Sequence, residues 1–195
     1  MDILFLIDFL NNLIDSNYIL SIILYFIFLI IFFSFSLPGS PILLIISGYF
    51  FGFYIGFFIN ILSVVIGTLI FFIFAQSLFI KFFNKYFEYY SLKFTKIIKN
   101  SSYEYLILLR LLIGPPILVQ NICISFLQIS IIKLMITTFI GFSPLYILLS
   151  YLGDKISNLI ELQQFNISEI FSLKFILIII FFICILLLKI IFKKK

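Results

Sequence analysis

The chain has no histidine and no tryptophan, only two cysteines and a single arginine, and charged residues make up just 11% of its 195 positions. Without histidine, Ser-His and Cys-His catalysis have no base, and the usual zinc constellations have no imidazole ligand. Cys123 and Cys184 each lie alone in an apolar run, where a small, weakly polar side chain packs well, so neither a structural disulfide nor a metal cluster is expected. No HExxH motif and no serine-lysine pair in register is found. The expectation is therefore a protein that is not an enzyme, with no metal and no bound cofactor.

What is abundant is apolar: 64% of residues are hydrophobic, 29 of them phenylalanine. Soluble domains hold roughly 45–50% apolar and about 25% charged residues, so lipid is the solvent for most of this surface. The formal charge of +5 does not indicate nucleic acid, because the lysines gather in two clusters beside apolar segments, as on the cytoplasmic edge of a membrane protein.

Residues 1–17 carry Asp2, Asp8 and Asp15 among apolar side chains and lack a basic start; they read as an interfacial segment. Residues 18–36 form a first spanning helix, since about 1.5 Å per residue nearly crosses a core of roughly 30 Å. No charge occurs between Asp15 and Lys81. Inside that interval Pro38, Gly39 and Pro41 interrupt the helix, and Gly48, Gly52 and Gly56 follow at four-residue spacing. Exposed irregular backbone is too costly in lipid, so residues 37–53 are predicted to be a re-entrant hairpin, followed by a span over 54–77. The four-residue spacing also suits ordinary close packing of helices, continued by Asn60, Ser63 and Gly67.

Residues 79–99 place Phe79, Phe82, Phe83, Tyr86, Phe87 and Tyr90 at i, i+3, i+4 intervals with lysines opposite, which predicts an amphipathic helix on an anionic membrane surface. The plan then repeats. A re-entrant segment over 104–128 is broken at Gly114, Pro115 and Pro116; a span follows over 131–152, containing Gly141 and Pro144 and leaving at Gly153-Asp154-Lys155. A polar connection, 156–172, leads to a last span and basic tail, 173–195. With both termini cytoplasmic, only Lys155 and Lys174 fall outside, as the positive-inside rule requires. The expected fold is an all-α integral membrane protein: about four spanning helices plus two re-entrant helical hairpins in an inverted repeat, with an amphipathic interfacial helix.

Arg110 stands inside the run Tyr105 to Ile113, several residues from any other charge. Charge at membrane depth costs about 2.5 to 17 kcal/mol, so the side chain needs a partner or a wet cavity. Two readings stand side by side: recognition of a lipid phosphate by its planar fork, or a structural pairing with Glu104 or Asp154. Gln120 and Asn121, just past the break, are candidate binding groups beside it; for each of these alone, as for Asn60 and Gln76, bonding between helices is the favoured reading.

These residues resemble a known family. Pro38-Gly39-Ser40-Pro41 and the Gly48, Gly52, Gly56 series are similar to the first half of a VTT domain, the DedA-like or SNARE-associated Golgi protein group. Leu109-Arg110-Leu111, Pro115-Pro116, Asn121, Thr138-Phe-Ile-Gly141-Phe-Ser-Pro144 and Tyr151-Leu-Gly153 are similar to its second half. The uncharged first hairpin is closer to the Golgi and vacuole-type branch than to the branch with acidic residues there. The resemblance implies two facing hairpins and a role in lipid transport or scrambling and envelope homeostasis, with membrane phospholipids or polyprenyl phosphate as partners. It places the chain as a multi-pass protein of a bacterial cytoplasmic (inner) membrane, with a homo-oligomer permitted. A small-solute or ion transporter and a non-transporting scaffold remain as alternatives.

Overall fold

The computed structural model describes residues 11–14, 16–98, 103–111, 116–125 and 129–161, and side chains are described within these except over 78–98 and 159–161. Residues 1–10, Gly114, Pro115, residues 126–128 and the connection and span predicted beyond 161 lie outside the described residues, as do the two faces of the helix predicted over 79–99. The described elements are helices: α1 (Tyr18–Ser34), α2 (Ser40–Ile98), α3 (Tyr103–Leu111), α4 (Ile117–Ser125) and α5 (Ile131–Glu161).

Among the described residues the surface carries many large apolar side chains, and many polar side chains are buried. Ile19, Leu24, Ile42, Tyr54, Phe74 and Ile132 are exposed, whereas Ser47, Asn60, Ser63, Thr68, Thr137, Thr138 and Ser150 are buried. Water would reverse that distribution; a bilayer favours it, because lipid offers apolar side chains a matching solvent and polar ones none. Two helices, Ser40–Ser77 and Ile131–Asn158, are long and apolar enough to cross a membrane.

The first of them is not straight. Gly52 has φ 76° and ψ 172°, and the helix reverses there. Asn60 donates to the Leu44 carbonyl at 3.1 Å, sixteen residues back, and a Cβ on Gly56 would sit 2.9 Å from the Gly48 Cα. In a continuous helix these pairs would be far apart, so residues 40–51 and the arm from residue 53 onward form an antiparallel helical hairpin. The short arm extends about 18 Å and residues 53–77 about 37 Å at roughly 1.5 Å per residue, so only the second is long enough for a core of about 30 Å.

Three contacts hold this hairpin. Asn60 also donates to Ser150 Oγ of α5 at 2.9 Å, joining both arms to that helix. Asp154 Oδ1 accepts from the Phe53 backbone N–H at 3.2 Å, satisfying one of the orphan donors at the start of the returning arm. A hairpin with no acid of its own thus receives a carboxylate from α5. Tyr25 of α1 donates to the Leu43 carbonyl at 2.7 Å. Behind these bonds Leu29, Phe33, Leu44, Ile61, Val64 and Phe142 form the main buried cluster, and Phe72, Leu106, Ile124 and Leu134 a second one.

Two extents differ from those predicted. The backbone of α2 continues through Ser77 and on to Ile98 with no irregular residue after Gly52. Helix α5 runs past the predicted span exit at Gly153-Asp154-Lys155 to Glu161, so Gly153 lies within a helix. The reason is packing: Gly153 faces the short arm, where a side chain would meet the Ile45 carbonyl.

At Gly52 a Cβ would find only Asp154 Oδ1, at 3.7 Å, so space is not what selects glycine there. The backbone conformation is one that side-chain-bearing residues reach at about 1–3 kcal/mol of strain. Gly52→Ala is expected to lower stability by about that much, read as a fall in the thermal unfolding midpoint in detergent; an unchanged midpoint would mean the reversal relaxes freely.

Candidate functional site

Arg110 lies in the last turn of α3 and is 2% exposed. Its backbone can come this close to α5 because residue 141 is glycine: a methyl group there would overlap Arg110 Cβ. The guanidinium is 5.1 Å from the Phe142 ring centroid, a cation–π distance. Phe142 is stacked on Tyr146, with centroids 5.4 Å apart, and Tyr146 on Phe33 at 6.3 Å, so the aromatic wall is fixed through to α1.

Arg110 Nη1 donates to Asn121 Oδ1 at 2.6 Å, closing the gap between α3 and α4 across the Gly-Pro-Pro break. Asn121 Nδ2 in turn donates to Ser36 Oγ at 2.7 Å. Among the described residues, Arg110 Nε and Nη2 have no hydrogen-bond partner. The hydrogen bond of the guanidinium goes to Asn121, and Asp154 is engaged at the hairpin turn.

Arg110 lines a cavity of about 380 Å³. The segment from Ser36 to Pro41 forms one side, Pro116 to Leu118 with Gln120 another, and α5 from Gly141 to Leu149 the third. Most of the wall is apolar, from Leu37, Leu44, Ile117, Leu145 and their neighbours. Two helices begin at this cavity, α2 at Ser40 and α4 at Ile117, and the positive end of each helix dipole lies at its start. Pro38, Gly39, Pro41 and Pro116 therefore act at the site by starting helices beside it. A lone buried cation with free N–H groups, two helix N-termini and apolar walls can bind an anion attached to an apolar body.

Of the residues singled out in the sequence, Arg110 and Gln120 reach the cavity wall, and Asn121 lies behind it, 2% exposed and bonded at both ends of its amide. Asn60 belongs to the hairpin seam instead. Gly48, Gly56 and Gly153 mark helix crossings away from the cavity, and Pro144 sits inside α5, where its missing N–H leaves the Ile140 carbonyl without a helical bond. Sequence reasoning missed Ser36, Phe142 and Tyr146. Phe142 lies beside the flagged Gly141, but nothing distinguishes it among 29 phenylalanines. Among the described residues no cluster of three or more histidine, cysteine, aspartate or glutamate side chains is placed to hold a metal.

Comparison with known proteins gives one match, a family profile described as VTT domain, over residues 37–155. No curated protein and no solved structure matches. The matched interval contains the helical hairpin, Arg110, Asn121 and the α5 residues of the cavity, and because it covers more than half of the chain, the protein belongs to the VTT-domain family.

Proposed function

We propose that this protein moves an anionic membrane lipid, a phospholipid or a polyprenyl phosphate, with its head group on Arg110 and its acyl or prenyl chain against the apolar walls. The observation that carries this reading is the buried guanidinium on a mostly apolar cavity, with Nε and Nη2 left without a partner among the described residues. A path for a soluble solute or ion calls for polar groups along its walls, so the lining favours an amphiphile. In this reading the hairpin of α2 and the α3–α4 pair are the two re-entrant elements of an inverted repeat, in a four-span protein of a bacterial inner membrane with both termini cytoplasmic. The role is envelope homeostasis, in a member nearer the Golgi and vacuole-type branch.

The test is exchange of a fluorescent anionic phospholipid between leaflets of proteoliposomes, beside retention of an entrapped soluble dye, at equal incorporation of wild type and Arg110→Ala. Charge-assisted hydrogen bonds contribute about 1.5–3 kcal/mol, and about 1.4 kcal/mol is tenfold, so the variant should exchange lipid at least about tenfold more slowly. Dye release by the wild type would favour a solute transporter. Lipid exchange that persists in a folded Arg110→Ala protein would remove the head-group role.

A further inference from the structure

We propose that Ser36 is a positioning residue for the anion site: its hydroxyl fixes the amide of Asn121 and, through it, the guanidinium of Arg110. The role in anion binding rests on the reading above, whereas the orientation of the guanidinium stands on geometry alone.

The backbone at Ser36 makes the side chain conspicuous. The Ser36 N–H donates to the Phe33 carbonyl at 3.0 Å and the Leu37 N–H to the Phe32 carbonyl at 3.4 Å. This pair of bonds is the Schellman arrangement that ends a helix, and it puts Ser36 at the left-handed position usually held by glycine. Ser36 has φ 50° and is the one residue other than glycine with positive φ among the described residues. A side chain here is a local disadvantage, so its hydroxyl is where a compensating role should be sought.

That hydroxyl has a direction. Ser36 Oγ donates to the Phe33 carbonyl at 3.4 Å, which uses its one proton. Arg110 has only donors and so takes the amide oxygen of Asn121, and Ser36 Oγ gives the NH₂ at the other end its acceptor, which holds the amide in that orientation. With the amide reversed, an NH₂ group would face the guanidinium, donor against donor. The cap that ends α1, 85 residues away in sequence from Asn121, thereby holds the face of the amide that Arg110 meets. Nη1 is held, while Nε and Nη2 are left for a ligand.

Because Arg110 is the only arginine in the chain, labelling with ¹⁵N-arginine gives a single guanidinium spectrum in detergent. In the wild type, hindered rotation should keep the two Nη groups resolved at low temperature. In Ser36→Gly they should average to one signal in a protein that still folds, since glycine suits the left-handed backbone while the Asn121 NH₂ loses its acceptor. Adding Asn121→Asp to Ser36→Gly should restore two resolved signals, because a carboxylate presents oxygen to Arg110 whichever way it turns. Resolved signals in Ser36→Gly, or averaging that persists in the double variant, would overturn the proposal. The readout needs no transport, so the lipid assay can fail while this orientation holds, and the reverse.

Discussion

Replacing Arg110 and Asn121 together, by Met and Leu, is expected to raise the stability of the protein and abolish its lipid exchange. Arg110 is 2% exposed, with one hydrogen bond to its guanidinium and a ring beside it. That is sparse compensation for a charge whose burial in a membrane costs between about 2.5 and 17 kcal/mol, depending on how it is measured. Buried ionic groups replaced by apolar ones of similar volume commonly leave a protein as stable or more so, by about 1–4 kcal/mol. Changing both residues matters: Arg110→Met alone strands the Asn121 carbonyl, at about 1–3 kcal/mol, and hides the gain. The check is a thermal unfolding midpoint beside the proteoliposome assay on the same preparation. A higher midpoint with exchange lost identifies Arg110 as a group kept for function against stability. A lower midpoint with exchange intact would make the pair a structural clasp.

Gly153→Val is expected to prevent the protein from folding. A Cβ on Gly153 would overlap the Ile45 carbonyl and approach the Tyr49 nitrogen at 2.7 Å, both of them backbone atoms of the short hairpin arm. Backbone cannot rotate aside as a flexible side chain can. On the same seam, a Cβ on Gly48 would meet the Ser150 backbone of α5, and Gly56 packs directly on Gly48. Any shift that relieves residue 153 must therefore separate the short arm from α5 along its length and strain the Asn60 bond that ties that arm to the returning one. Overpacking in a core typically costs about 1–3 kcal/mol, and a clash against two backbones with coupled polar bonds exceeds that range. Gly39 supplies the contrast: its φ is 95°, but a Cβ there meets nothing within 4 Å, so Gly39→Ala carries only conformational strain. Size-exclusion profiles and unfolding midpoints of the two variants should rank Gly153→Val as far the more damaging. The reverse order would show that the seam is looser than its geometry.

Arg110 was legible in the sequence because a lone charge in an apolar run is conspicuous whatever the fold. Asn121 was marked by lying just past a Gly-Pro-Pro break, yet its task was not: it reads as a ligand group from spacing and is a support for Arg110 in the structure. Residues 37–53 stood out because two prolines and a glycine series interrupt a helix in any setting, but that the chain reverses at Gly52 was not legible. By contrast the sequence marked Gly153 only as the exit of a span, and that its helix continues to Glu161 was not legible, because glycine inside a helix and glycine ending one have the same sequence signature.

The sequence by itself determined that this chain is helical and belongs in lipid, and where its helices are interrupted. Those properties follow from composition and local backbone chemistry, which act over a few residues. Only the tertiary structure decided which small residues meet, that Asp154 serves the turn at Gly52, and that Ser36 stands behind Asn121 and Arg110. These are contacts across 101 and 85 residues of chain, set by how helices cross, and no local pattern encodes a crossing.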